Sequence, residues 1–462
     1  MISSQALAAL RRTLAEERVL TDAASLLHYG RDWTRYIEPS PAAIVFPLDV
    51  DEVRALVQWA RACGVALVPS GGRTGLSAGA VASRGEVVVS FERMNAIRDF
   101  DPLSRTVRCQ AGVVTGALQT FAEERGLYYP VDFASSGASQ IGGNIATNAG
   151  GIRVVRYGMT RDWVAGLTVV TGTGEVLELN LGLNKNNSGY DLRHLFIGSE
   201  GTLGFVVEAV MKLTSPPPPT RVMVLGVRQL GDIMAVFGHF AGEARLQAFE
   251  FFSDQALAQV MAAQGVGAPL DERWPYYVLL EFEAAGDAEE ARALAAFAHC
   301  VEQGWASDGV MSQSLAQARA LWRLREGISE AITPRTPYKN DIAVMISQVP
   351  DFVVRLDAIL SRDYPDFEVL WYGHIGDGNL HINVLKPQDW ALPAFKSACE
   401  QVNRQVFELV RAFRGSMSAE HGVGMLKRDY LNVTRSEAEI ALMRGVKSVF
   451  DPDGVMNPGK LL

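Results

Sequence analysis

Three stretches crowded with glycine and small polar residues, each beside an apolar strand-like run, constrain this chain more than any other feature. Gly71-Gly-Arg-Thr-Gly-Leu-Ser-Ala-Gly79 follows the apolar run Ala66–Ser70. Pro130–Gly151 is small, hydrogen-bonding and almost free of charge, and Gly198-Ser-Glu-Gly-Thr-Leu-Gly204 leads into Phe205–Leu213. Glycines at this density turn the backbone tightly and aim successive N–H groups at an anion, which is how a diphosphate is cradled. The second stretch suits a backbone lying against a flat ring system and its phosphates. One extended cofactor accounts for all three better than three unrelated loops. Neither a Walker A loop nor the dinucleotide Gly-x-Gly-x-x-Gly is present.

At 462 residues the chain is too long for one small core, and two or more domains are expected. A net charge of −9 argues against a nucleic-acid or anionic-membrane surface. The four cysteines, Cys63, Cys109, Cys300 and Cys399, are scattered without a Cys-x-x-Cys and read as reduced thiols. Met1–Leu27 mixes arginines with acids and lacks an apolar core, so it does not read as a targeting signal. There is no apolar run long enough to span a bilayer, so a cytoplasmic protein is expected.

Periodicity predicts helices over Ala6–Leu14, Val50–Cys63 (closed by Gly64), Ala288–Gln303 and Ala316–Ile332. It predicts strands over Ala43–Phe46, Val164–Thr171, Glu175–Leu179, Arg221–Val227, Tyr276–Glu283 and Ile342–Ile346. The prolines Pro216–Pro219 are stiff and cannot donate ladder hydrogen bonds, which marks a boundary. The fold class is therefore α+β: a first domain over 1–216 with its core in 41–216, then a substrate or cap domain over 217–428. That second domain is expected to be an antiparallel sheet with helices on one face. Residues 429–462 include a turn-rich tail.

Trp371–Asn383 carries the densest chemistry. Asp377-Gly378 is a favoured two-residue hairpin turn, which would set His374 opposite His381 with Cβ atoms about 4.5–5.5 Å apart. Both imidazoles could then reach one metal ion, with Asn383 on the face of His381. Glu420 is a natural third ligand, and His421, pointing elsewhere, is freer to act as a base. Arg325 and Ser329, four apart, share a helix face, and Lys339 follows. Glu326 and Asp341 offer nearby partners for Arg325 and Lys339 if these are merely surface charges.

Pro69-Ser-Gly-Gly-Arg-Thr-Gly75, Ile141-Gly-Gly-Asn-Ile-Ala-Thr-Asn-Ala-Gly-Gly151 and Gly198-Ser-Glu-Gly-Thr-Leu-Gly204 resemble the FAD-binding domain of the vanillyl-alcohol oxidase/p-cresol methylhydroxylase superfamily. The resemblance implies a two-part flavin domain, to which residues 429–462 return. It places Ser70, Gly71, Gly72, Arg73, Thr74 and Gly75 at the diphosphate, and Gly142, Gly143, Thr147, Asn148, Gly150 and Gly151 along the cofactor. Pro69, Ser77, Asp132, Ser136, Tyr157, Glu200, Val206 and Asn457 are the further cofactor-binding residues it implies. Some members attach FAD through a His in the first loop. Here Arg73 occupies that region, so non-covalent FAD is expected.

Arg325, Ser329, Lys339, Gly373–Asn383 and Ser418–Asp429 narrow the resemblance to the D-2-hydroxyglutarate dehydrogenase group, within a branch that includes D-lactate and glycolate dehydrogenases. That resemblance implies zinc at His374, His381 and Glu420, with manganese left open. It implies substrate contacts from Arg325, Ser329, Lys339 and Asn383, and His421 beside the reacting hydroxyl. Ser329 stands where the group commonly has Thr. An electron-transfer flavoprotein or a quinone is the implied acceptor; a homodimer is compatible, and the sequence does not decide it.

Two cations in one pocket call for a second substrate carboxylate. This favours 2-hydroxyglutarate first and malate second. A lactate or glycolate dehydrogenase, a non-catalytic flavoprotein subunit and a metal-dependent hydrolase remain open at this point.

Overall fold

Local signals set several elements before any tertiary contact is made. Asp49 caps the helix Val50–Cys63 by accepting from the Glu52 amide at 2.9 Å, and Gly64 ends it at φ 62°. The expected hairpin forms from Val164–Thr171 and Val176–Leu179, paired antiparallel. The computed structural model describes residues 2–34 and 36–462, which form two units.

The first unit gathers Met1–Gly150, Gly158–Pro216 and Glu420–Leu462. It contains two sheets. One runs in the order Val19–Leu20, Ala43–Val45, Val87–Ser90, Leu67–Ser70, with the last three strands parallel and fully or nearly buried. The other is antiparallel, in the order Ile97–Asp101, Thr106–Gln110, Gly204–Lys212, Val164–Thr171, Val176–Leu179. The end of the chain zips onto the first sheet. Leu67 donates its amide to Val455 O, and Asn457 donates to Leu67 O, each at 2.8 Å.

The second unit gathers Gly151–Tyr157 and Pro217–Ala419 around one seven-stranded antiparallel sheet. Its order is Asp308–Met311, Thr220–Val227, Tyr276–Glu283, Leu246–Ser253, Val369–Gly373, Asn379–Val384, Tyr338–Ala343. The α+β class holds, but the helices cover both faces rather than one. Leu246–Ser253 is buried at every residue, which a one-sided sheet cannot achieve. Leu257, Trp322 and Ile328 pack with Val222, Val224 and Phe252 on one face. On the other, a side chain added at Gly309 would strike both Leu225 and Phe297. This unit closes at Ala419, ahead of residue 428, because Val423 and Gly424 bond to Glu200 of the first unit.

Two further expectations are corrected. The helix over Ala316–Ile332 is two helices, Leu315–Glu326 and Ile328–Ile332, parted at Gly327, where a Cβ would lie 2.6 Å from Gln264. The strand expected over Ile342–Ile346 is Tyr338–Ala343, since its ladder with Asn379–Val384 runs from Tyr338↔Val384 to Ala343↔Asn379. Lys339 therefore lies inside a strand, directly opposite Asn383.

Candidate active site

In the second unit the two histidines meet, though not through a two-residue turn. The ladder pairs Tyr372 with His381, and its partner strand ends at Gly373. His374 to Gly378 form a loop around a short 3-10 helix, Ile375–Asp377. Gly378 sits at φ 88°, where a Cβ would fall 2.2 Å from Val344 O, so the glycine is required. Despite the longer loop, the His374 and His381 rings lie 5.4 Å apart between centroids and nearly perpendicular, at 80°. Both side chains are buried.

What orients His374 is a residue the sequence reading passed over. Glu250, on the buried strand Leu246–Ser253, lies 2.8 Å from His374 Nδ1. A carboxylate only accepts, so Nδ1 carries the proton and Nε2 carries the lone pair, the tautomer that binds a metal. His381 Nδ1 lies 3.8 Å from Asp341, its cross-strand partner. Asp341 in turn accepts from Asn379 Nδ2 at 2.9 Å and from the Ala419 amide at 3.1 Å. The chain passes straight from Ala419 to Glu420 and His421.

The expected substrate residues surround the same strands. Arg325 is 6% exposed, with Nη2 2.8 Å from Glu250 Oε2 and its guanidinium 4.9 Å from the Tyr372 ring centroid. It is buried rather than a surface charge, and the carboxylate it faces is that of Glu250. The approach is nevertheless misaligned for hydrogen bonding: Arg325 Nε and Nη2 and Glu250 Oε2 are buried without a hydrogen bond. Asn383 Oδ1 is buried and unsatisfied as well. Lys339 donates only to Ser329 Oγ, at 3.1 Å, and among the described residues no carboxylate lies within ion-pair distance of it. Burial pushes its ammonium below the usual lysine range. The Arg325 and Lys339 donors fit an anionic group on a ligand, and Asn383 Oδ1 fits a donor such as a hydroxyl, rather than a closed core.

In the first unit the glycine blocks adjoin. A Cβ at Gly72 would fall 2.1 Å from Ala138 O, and one at Gly71 would touch Gly143 Cα at 3.8 Å. At Gly143 itself a side chain would enter open space. Ser70 Oγ, Ser90 Oγ and Gln140 Oε1 are buried without hydrogen-bond partners. A polar ligand running between these loops would satisfy them, and Gln140 is a lining residue that composition alone did not single out. Arg73, at φ 57°, donates back to Gly71 O at 3.3 Å, pairs with Glu92 at 2.8 Å, and touches the exposed His28 at 3.3 Å.

Other expected cofactor residues do structural tasks in this unit. Ser136 accepts the Phe133 amide and donates to Asp132 or to Phe133 O. Thr147 bonds back to Gly143 O, and Asn148, at φ 51°, accepts the Arg161 amide. Val206 is buried beside a bulge in its strand. Gly142 packs onto Ala111, and Tyr157 ends the short helix Val154–Tyr157 of the second unit.

Glu200 is the clearest case. Its two oxygens accept the amides of Val423 and Gly424, each at 2.7 Å, while burial pushes its carboxyl up and those two bonds pull it back. It thus anchors the loop that carries Glu420 and His421, whose side chains lie 3.7 Å apart. Asn457 donates to Glu200 O at 2.7 Å and to Gly79 O at 3.0 Å.

Two sheets with glycine-lined loops, followed by a large antiparallel sheet holding buried cations, have the architecture of p-cresol methylhydroxylase, and the family matches make the chain a flavin-dependent oxidoreductase. Residues 41–180 match the FAD binding domain family, and residues 216–461 match the FAD linked oxidases, C-terminal domain. The chain belongs to the FAD-linked oxidases. It is 60% identical to a D-2-hydroxyglutarate dehydrogenase of Stutzerimonas stutzeri over 97% of each chain. It is 38% identical to the mitochondrial D-2-hydroxyglutarate dehydrogenase of Bos taurus, over 100% of this chain and 84% of that one. Among solved structures it resembles 4-ethylphenol oxidase from Gulosibacter chungangensis, with a TM-score of 0.76 at 18% identity, covering 100% of this chain and 98% of that one. At that identity the likeness speaks for the fold alone. No helix among the described residues is long and apolar enough to cross a membrane.

Proposed function

We propose that the protein is an FAD- and divalent-metal-dependent dehydrogenase that oxidises D-2-hydroxyglutarate, and D-malate less well, to the 2-keto acid. The observation that carries the dicarboxylate is Lys339, a desolvated ammonium with one hydroxyl for company. A substrate lacking a second carboxylate would leave it that way. Arg325 adds two buried donors without hydrogen bonds, and Asn383 a buried acceptor.

When bound, FAD supplies the acceptor for the hydride from C2, and a divalent ion supplies the Lewis acidity that makes the hydroxyl a better acid. His374, His381 and Glu420 are the residues we assign to that ion, zinc or manganese; two imidazoles and a carboxylate match a catalytic site with open positions. Arg325 and Lys339 bind the distal carboxylate, Ser329 steadies the Lys339 ammonium, and Asn383 orients the substrate. His421 accepts the hydroxyl proton as hydride departs from C2, so one proton and one hydride leave, and the hydride carries both electrons of the oxidation. Lys339 and Asn383 stand on strands of the seven-stranded sheet, and Arg325 and Ser329 on the helices Leu315–Glu326 and Ile328–Ile332, so regular elements hold the substrate-binding side chains. FAD is assigned as non-covalent, since Arg73 fills the first loop and turns to Glu92. An electron-transfer flavoprotein or quinone is the proposed acceptor. Four free cysteines, three of them buried, support a reducing compartment.

Anaerobic bleaching of the bound flavin by D-2-hydroxyglutarate, D-malate, D-lactate and glycolate tests this reading. D-2-hydroxyglutarate should bleach fastest, and a chelator should stop it without releasing FAD. Bleaching by lactate or glycolate alone would overturn the dicarboxylate assignment.

A further inference from the structure

The strand Leu246–Ser253 is apolar on both sides of a single acid, Phe249-Glu250-Phe251, and that acid is 1% exposed. Burying a carboxylate costs several kcal/mol unless charged or hydrogen-bonding partners offset it. Glu250 has two, and they are the groups on which the proposed chemistry turns. Oε1 lies 2.8 Å from His374 Nδ1, and Oε2 lies 2.8 Å from Arg325 Nη2. One side chain therefore touches a histidine assigned to the metal and the arginine assigned to the distal carboxylate. Its neighbour Phe251 is paired to Gly373 across the ladder, so the backbone beneath Glu250 is tied to the residue preceding His374.

We propose that Glu250 is a positioning residue shared by both halves of the site: one oxygen holds His374 in its metal-binding tautomer while the other holds Arg325 in place. The inference rests on the metal and dicarboxylate reading given above. Its logic is one of acceptors. A carboxylate offers an acceptor to each partner at once, and no neutral side chain of the same shape does. In Glu250→Gln one position becomes a donor. The guanidinium, being charged, takes the remaining oxygen, and the amide NH2 then faces His374 Nδ1. That reverses the tautomer and places the proton on Nε2, where the metal should bind. The link is thus chemical as well as spatial, since whatever draws the carboxylate toward Arg325 is felt at the imidazole.

The test is metal affinity, measured by competition with a chromophoric chelator on the FAD-loaded full chain, using zinc and manganese separately. Glu250→Gln should bind metal about 10–100-fold more weakly than the parent, as loss of a carboxylate behind a ligating histidine does elsewhere. The flavin spectrum and melting midpoint report whether the variant is folded. Should Glu250→Gln not fold, Glu250→Asp keeps the charge but is one methylene too short to hold both 2.8 Å contacts, and the same weakening is expected. The KM for D-2-hydroxyglutarate should rise in Glu250→Asp as well, because Arg325 is released. Metal affinity within about twofold of the parent in a folded variant overturns the inference and leaves the proposed function standing. A parent protein that binds neither metal overturns both.

Discussion

Replacing Lys339 by Met should make the enzyme worse and the fold no less stable. The ammonium lies on Tyr338–Ala343, opposite Asn383, with Ser329 Oγ at 3.1 Å as its single hydrogen-bond partner among the described residues. Desolvation alone accounts for its lowered pKa, so the folded protein holds this charge at a cost. Met keeps the length and apolar stem and removes the charge, leaving only a surface-competent serine hydroxyl behind. The melting midpoint of the FAD-loaded protein should therefore stay level or rise. A hydrogen bond to a charged group is worth about 1.5–3 kcal/mol. At about 1.4 kcal/mol per tenfold, the KM for D-2-hydroxyglutarate should rise roughly 10–150-fold. Any slow turnover of D-lactate, which has no distal carboxylate, should be unaffected. Steady-state kinetics with both substrates and a thermal melt suffice. A lower midpoint with an unchanged KM would mean that Lys339 is structural, and the dicarboxylate argument would fail with it.

The same lysine sets a pH dependence. Its folded pKa is lowered, so the charge that binds a carboxylate is full below that value and is lost as pH rises through it, before the ordinary lysine range is reached. Affinity for D-2-hydroxyglutarate should weaken on that alkaline limb, and the limb should vanish in Lys339→Met. Glu200→Ala strips the buried Gly424 amide and the half-buried Val423 amide of their acceptor, at about 1–3 kcal/mol for the buried one and less for the other. A lower melting midpoint and a fall in kcat are expected, because the Glu420–His421 loop is loosened; normal kcat would show that this anchor is dispensable. Gly72→Ala puts a Cβ 2.1 Å from Ala138 O, so the two loops must part. The purified variant should have lost FAD, read from its absorbance at equal protein concentration, and full retention would place the cofactor elsewhere.

Much of the fold is legible because its signals are local. Asp49 and Gly64 bracket Val50–Cys63 in the sequence as they do in space, and the glycine blocks announce their loops without help from the rest of the chain. The two-residue turn that Asp377-Gly378 suggests does not form, and what Gly378 answers to is a distant backbone, since a Cβ there would fall 2.2 Å from Val344 O. Likewise Lys339 joins a strand because Asn379–Val384 pairs with it. Glu250 went unseen for a related reason. An isolated acid between two phenylalanines is a signal, but nothing in the sequence says which two of the many basic groups it faces. Glu200 stands in a glycine-rich motif that speaks only for a loop; its amide partners lie at Val423 and Gly424, nearly half the chain away.

The route of the chain through the two units has a consequence for how the protein is made. The first unit lacks Glu420–Leu462 until everything in the second has been synthesised. Until then the edge of Leu67–Ser70 has no Val455–Asn457 to zip against, and Glu200 has no amides to hold. On a ribosome the inserted unit is complete while its host is still open, so cofactor capture belongs to the last seconds of synthesis or after release. A premature stop near residue 450 would spare the seven-stranded sheet yet yield a chain unable to close around its flavin.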